Sequence, residues 1–128
     1  MKTKGKADLV VRGLLALMLV VFGLDKFMHF MPVPEPPEEG GAFLGALLGA
    51  GYIFPTIGIV FLVAALSLVT DCVLLALVLL APVVLNILFY HFRYEVPGIG
   101  AGAVIALLAI VLAFMHKSDL KPLFRSSR

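Results

Sequence analysis

The run Leu9–Phe30, LVVRGLLALMLVVFGLDKFMHF, decides the architecture. A helix needs roughly 20 mostly apolar residues to cross about 30 Å of hydrocarbon, and this run supplies them. Its exceptions are Arg12 near the start and Asp25, Lys26 and His29 near the end. The apolar part exceeds the roughly 7 to 15 residues of a signal-peptide core, and no small-residue cleavage site follows it. It is expected to remain as a first spanning helix.

The rest of the chain repeats the theme. Of the 128 residues, 62% are hydrophobic and 14% charged, against about 25% charged in a soluble domain, and the mean hydropathy is +1.11. Further apolar runs cover 52–69, with Pro55 in the first turn where a missing N–H costs least, 72–92, with Pro82 inside, and 99–115. Backbone polar groups in hydrocarbon must be satisfied within the segment, which makes these runs helices. The expected fold is all-α, a single four-transmembrane-helix bundle with little left for a soluble domain. Cys72 is the only cysteine, so an intramolecular disulfide and a Cys-x-x-Cys redox pair are both excluded.

Charge sets an orientation. Lys2, Lys4, Lys6 and Arg12 lie near one terminus and Lys117, Lys121, Arg125 and Arg128 near the other, eight of the ten basic residues. Four spans put both termini on one side, and positive charge marks that side as cytoplasmic. Thr70, Asp71 and Cys72 then form a tight inner hairpin. The loop 31–51, with Glu35, Glu38 and Glu39, and the shorter one around Arg93, Glu95 and Pro97 lie outside. Pro32, Pro34, Pro36 and Pro37 favour extended backbone. Gly41, Gly45 and Gly49 then recur every fourth residue in a stretch too short to cross, expected as a short extra helical or re-entrant segment before the second span. An extension of that helix packed on a neighbour is the alternative. Gly98 and Gly102 repeat the spacing at the fourth span.

Depth then sorts the polar residues. Asp25, Lys26 and His29 end the first helix, Tyr52 begins the second, and Asn86, Tyr90, His91 and Arg93 end the third, all at the outer level. Asp25 and His29 are four apart and share a helix face, with Lys26 beside it. Asn86, Tyr90 and Arg93 form one stripe, with His91 turned about 100° from Tyr90. If the two faces meet, they enclose a polar pocket under the outer loop. Ionisable residues in a span cost roughly 2.5 to 3.5 kcal/mol at its centre and are functional candidates by default. The plainer reading is that Lys26 and Arg93 snorkel, that Tyr52, Tyr90 and Tyr94 form an aromatic belt, and that Asp25 neutralises Lys26. An interface anchor needs no carboxylate, amide or imidazole, so Asp25, His29, Asn86 and His91 are the stronger candidates. At the inner end, Arg12 is expected to snorkel, with an inward-facing pairing as the alternative, His116 to be solvated and Asp71 to cap the third span. Cys72 reads as a packing residue, and Ser67 and Thr70 as bonding to their own helix.

These residues carry a resemblance. The chain resembles the DoxX family of small bacterial four-helix membrane proteins over nearly its whole length: Gly23, Lys26 and His29 close the first helix, Pro55 and Gly58 open the second, and Asn86 and His91 close the third. The resemblance implies a plasma-membrane protein, with some relatives linked to quinone-dependent oxidoreduction. It departs at the second helix, where many members carry an acid and this chain has Phe61. Any mechanism needing a mid-membrane carboxylate there is put in doubt.

The leading expectation is a subunit or accessory of a quinone-linked or oxidative-stress-related redox system, holding a quinone head group in the outer pocket. His29, His91 and Tyr90 would hydrogen-bond a carbonyl and Asp25 would accept a proton. A non-catalytic membrane partner or a small-solute permease is the alternative, although the apolar centre of the bundle speaks against transport. His29, His91 and Asp25 could form a metal site, but no ligand spacing supports it. Neither metal nor haem is expected. The expected surroundings are the lipid bilayer and a redox subunit or a second copy, with no nucleic-acid surface.

Overall fold

Hydrophobic run length and proline placement account for most of the secondary structure. The computed structural model describes residues 5–32 and 35–125; Lys2, Lys4, Pro34 and Arg128, used in the charge and loop readings, lie outside them. Among the described residues the chain is helical, without strands. The helices are α1 (Lys6–Met28), α2 (Glu38–Ala50), α3 (Ile53–Val69), α4 (Val73–Tyr94), α5 (Gly100–Met115) and α6 (Lys117–Leu120), with short 3-10 turns at Val96–Gly98 and Lys121–Phe124. At 23 residues, α1 extends about 34 Å. It and α4 are each long and apolar enough to cross a bilayer. Up to four spans result if the bent pairs α2–α3 and α5–α6 each count as one, which is consistent with a membrane protein.

The stretch after α1 is a stop. His29 takes a left-handed conformation at φ 50° and its N–H reaches the Asp25 carbonyl; histidine is among the residues that tolerate this region best. The Asp25 carboxylate accepts the Met31 N–H at 2.8 Å, closing the exit. Pro37, at φ −55° and ψ 156°, holds the chain extended until α2 begins with Glu38 and Glu39 in its first turn, where carboxylates complement the helix dipole. Gly51 ends α2 at φ 84°, and α3 departs at 83° to it. The glycine-rich segment is therefore a separate short helix, starting three residues before Gly41.

α1 packs against α3 and α5, and α4 packs against the same two, giving a closed ring in which α1–α3 is the tightest pair and α4–α5 the loosest of the four. Leu15, Leu19, Phe61, Leu68, Leu80 and Leu112 fill its centre. Phe61, at the position where the resemblance leads one to look for an acid, is thus a core residue.

Glycines set the close crossings. A methyl on Gly58 would lie 3.0 Å from the Gly23 carbonyl oxygen and 2.7 Å from Phe27 Cε2, so α1 and α3 cross with backbone nearly on backbone. Gly102 approaches Ile87 similarly, whereas Gly45 and Gly49 face open space. The four-residue glycine face of α2 is unpacked here, and it is Gly40 that lies close against Tyr90 and Tyr94. Gly58→Leu should therefore cost about 1 to 3 kcal/mol by overpacking. Gly45→Ala should be neutral or gain up to about 1 kcal/mol from helix propensity. Circular-dichroism melting in detergent, compared between the two variants, measures the difference.

Candidate functional site

The most deeply buried ionisable side chains lie at the end of the ring where α1 begins and α5 ends. Asp8, Arg12 and His116 are 0%, 5% and 1% exposed. His116 Nε2 sits 2.9 Å from Asp8 Oδ1, and its Nδ1 sits 3.3 Å from Asp119 Oδ2. Arg12 Nη1 is 3.7 Å from Asp8 Oδ2, while Nη2 donates to Asp71 Oδ1 at 2.7 Å. Arg12 Nε also donates to the Leu68 carbonyl at 3.0 Å, with Nη2 directed at the same oxygen. One continuous network thus runs from α6 through α1 to the α3–α4 turn.

Each link has a local cause. Leu68 is in the last turn of α3, where carbonyls lack intrahelical N–H donors, so the guanidinium both fills that role and places a cation at the helix's negative end. Asp71 adopts φ 63° in the turn, which aspartate tolerates better than most, and its side chain is paired with Arg12. Asp8 lies in the first turn of α1, the favourable end for a carboxylate. The 83° bend between α5 and α6 turns His116 inward between two acids. His116 thus lies with one carboxylate at each ring nitrogen.

This corrects three expectations. Arg12 does not snorkel, because the α3 terminus and two carboxylates offer it more than headgroups do. His116 is not solvated, because the helix ends at that residue and swings round. Asp71 pairs with Arg12 instead of capping the following helix; α4 has no side-chain cap. Cys72 is exposed. Ser67 and Thr70 do bond to their own helix, at the Val63 and Leu66 carbonyls, both at 2.8 Å.

At the opposite end the expected residues fall into two groups. On α1, Asp25 is engaged with Met31, Lys26 is half-buried with its stem on Gly58, and His29 is exposed. On α4, Tyr90 meets His91 edge-on at 5.1 Å and Phe43 of α2 in a stack at 5.9 Å, with Tyr94 adjoining both tyrosine and phenylalanine. Arg93 lies over the Tyr94 ring and 3.5 Å from Glu39, both partners being exposed. Asn86 is exposed, and Tyr52 is 66% exposed. No hydrogen bond or ion pair joins the α1 group to the α4 group among the described residues. Within the α4 group the Tyr90 hydroxyl is buried without a hydrogen-bond partner. His91 Nδ1 lies 3.0 Å from the Glu95 carbonyl; a carbonyl only accepts, so Nδ1 carries hydrogen and Nε2 is left as the acceptor of the neutral ring. No group of three or more histidine, cysteine or acidic side chains among the described residues is arranged to hold a metal ion.

Fold and site together define a small all-helical protein, apolar enough for a bilayer, with a buried ion network at one end and an aromatic cluster at the other. Comparisons with protein-family models, with curated proteins and with solved structures give no match.

Asp8 is the member of the network that its sequence context marks least. The available signal was its i, i+4 relation to Arg12, together with the shared depth of Arg12 and Asp71. Removing one member of a buried, hydrogen-bonded ion network costs about 3 to 5 kcal/mol, so Arg12→Ala should sharply lower stability. Arg93→Ala, which loses an exposed pair, should cost under about 1 kcal/mol. Denaturant titration of both variants in the same detergent measures the gap.

Proposed function

We propose that the chain is a DoxX-like inner-membrane protein with four spans and cytoplasmic termini, serving as a subunit or accessory of a quinone-linked redox system. The observation that carries the reading is the buried Tyr90 hydroxyl without a hydrogen-bond partner. A buried donor left unmade costs about 1 to 3 kcal/mol, and a quinone carbonyl is an acceptor that would remove that cost. Phe43 and Tyr94 supply aromatic faces beside it, and His91 Nε2 offers an acceptor for the hydroxyl proton of the reduced form. α2 covers this cluster through Gly40 and Phe43, so the head group enters as α2 lifts. Asp25, given the proton-accepting role on sequence grounds, is occupied at the exit of α1, and His91 takes that role in this reading. The resemblance at Gly23, Lys26, His29, Pro55, Gly58, Asn86 and His91 supports the family and the membrane; the reaction partner is a soluble or membrane oxidoreductase that supplies or takes the electrons.

Photo-crosslinking with an azido-quinone should label the purified protein near α2 and the end of α4. Tyr90→Phe should lower labelling roughly fivefold or more, the worth of about one hydrogen bond, with stability unchanged or raised. His91→Ala should lower it too. Labelling that ignores both substitutions overturns the quinone reading, and a stable partner recovered with no quinone would favour a non-catalytic membrane subunit.

The four-span arrangement has its own test. Cys72, exposed in the α3–α4 turn, should react with a membrane-impermeant maleimide in inside-out vesicles and not in right-side-out ones. The reverse pattern would invert the topology.

A further inference from the structure

Between α4 and α5, the loosest pair in the ring, runs a groove of about 430 Å³, within the roughly 300 to 1,000 Å³ of small-molecule sites. Its walls are apolar, and it stays open because Ala81, Ala106, Ala109 and Ala113 stand where larger residues would close it. At the α6 end it meets a second recess of about 310 Å³, which shares Ile110, Ala113 and Leu120 and is edged by Lys117 and Lys121. Both lysines are exposed, and neither has an ion-pair partner among the described residues. The segment Lys117–Phe124 leaves α5 at 83° and carries Leu123 and the 86% exposed Phe124 beside the two lysines. Apolar and basic residues mixed in this way on a short segment at the end of a span suit the headgroup boundary.

We propose that this composite groove is a binding site for one anionic phospholipid, with an acyl chain lying between α4 and α5 and the phosphate held by Lys117 and Lys121. The choice of occupant follows from shape and charge. A crossing helix about 10 Å wide and 30 Å long needs on the order of 2,000 Å³, several times the groove, whereas a single hydrocarbon chain matches an apolar slot that offers no hydrogen bonds. Two ammonium groups without an ion-pair partner among the described residues, at one end of that slot, call for an anion there, and basic recesses between membrane helices bind acidic headgroups. The site is separate from Tyr90 and stands or falls independently of the quinone reading; it requires only that the helices lie in a bilayer.

The test is native mass spectrometry of the delipidated full chain, titrated with phosphatidylglycerol and phosphatidylcholine of the same acyl chains. Phosphatidylglycerol should be retained preferentially, and the double variant Lys117→Gln, Lys121→Gln should lose roughly 30-fold in its affinity, about fivefold per lysine. Ala109→Phe, which fills the slot, should weaken both lipids, with an unchanged circular-dichroism spectrum as the folding control. Competition by glycerol phosphate at concentrations matching the lipid would show that the headgroup alone binds, and would overturn the acyl-chain part. Equal retention of the two lipids, undiminished binding to the lysine variant, or a lipid-free dimer that masks Lys117 from acylation would each overturn the site.

Discussion

A guanidinium buried at the end of a helix is the constraint around which the bundle is organised. Arg12 cannot give up its charge, and it is almost wholly buried. Burial of an ion costs several kcal/mol unless hydrogen bonds and opposite charge replace its hydration. The Leu68 carbonyl, Asp71 and Asp8 together provide that replacement, and they come from the end of α3, the turn after it and the start of α1. A carboxylate as buried as Asp8 imposes the same demand in turn, which His116 helps to meet. The network thereby fixes the relative heights of α1, α3 and α5, a quantity that apolar packing alone leaves soft because leucine and alanine surfaces can slide with little change in contact.

The glycine crossing of Gly23 on Gly58 does complementary work farther along the same pair. Apolar residues gain nothing from burial against each other instead of against lipid tails, so close packing is what holds membrane helices together. Only residues without a Cβ permit the α1–α3 backbones to come this near. The ion network sets the register and the crossing sets the distance, which explains why α1–α3 is the tightest contact in the ring. Among the described residues α4–α5 has no such ion pair, and its Gly102 meets the Ile87 side chain and not backbone, which leaves it loose enough for a groove.

Much of this was legible in the sequence because the signals are long or local. Spans are read from runs of some 20 apolar residues, and the break before α2 from Pro36 and Pro37. The lone helix α2 was visible in its glycine content, although its start at Glu38 was set by the last proline and not by the glycine period. The ion network was not read, because its members are single polar residues scattered over the chain, each with an adequate local explanation. Arg12 and Lys117 look like basic flanks of spans, and His116 looks like their neighbour. Only the direction in which α5 ends, a backbone angle with no strong sequence mark, brings His116 onto Asp8. At the other end, a four-residue spacing such as that of Asp25 and His29 serves equally for a pocket and for a stop; here His29 leaves the helix as its left-handed cap and the Asp25 carboxylate closes the chain exit.

The two ends therefore differ in what it takes to move them. At the network end, any displacement separates buried charges, and the cost of exposing or orphaning them is several kcal/mol. At the other end, α2 is held to α4 by the stack of Phe43 on Tyr90 and Tyr94, and by an Arg93–Glu39 pair exposed on both sides, an interaction worth at most about 1 kcal/mol. The contacts that hold α2 are thus the weaker ones, whereas the ion network ties α1, α3 and α5 together.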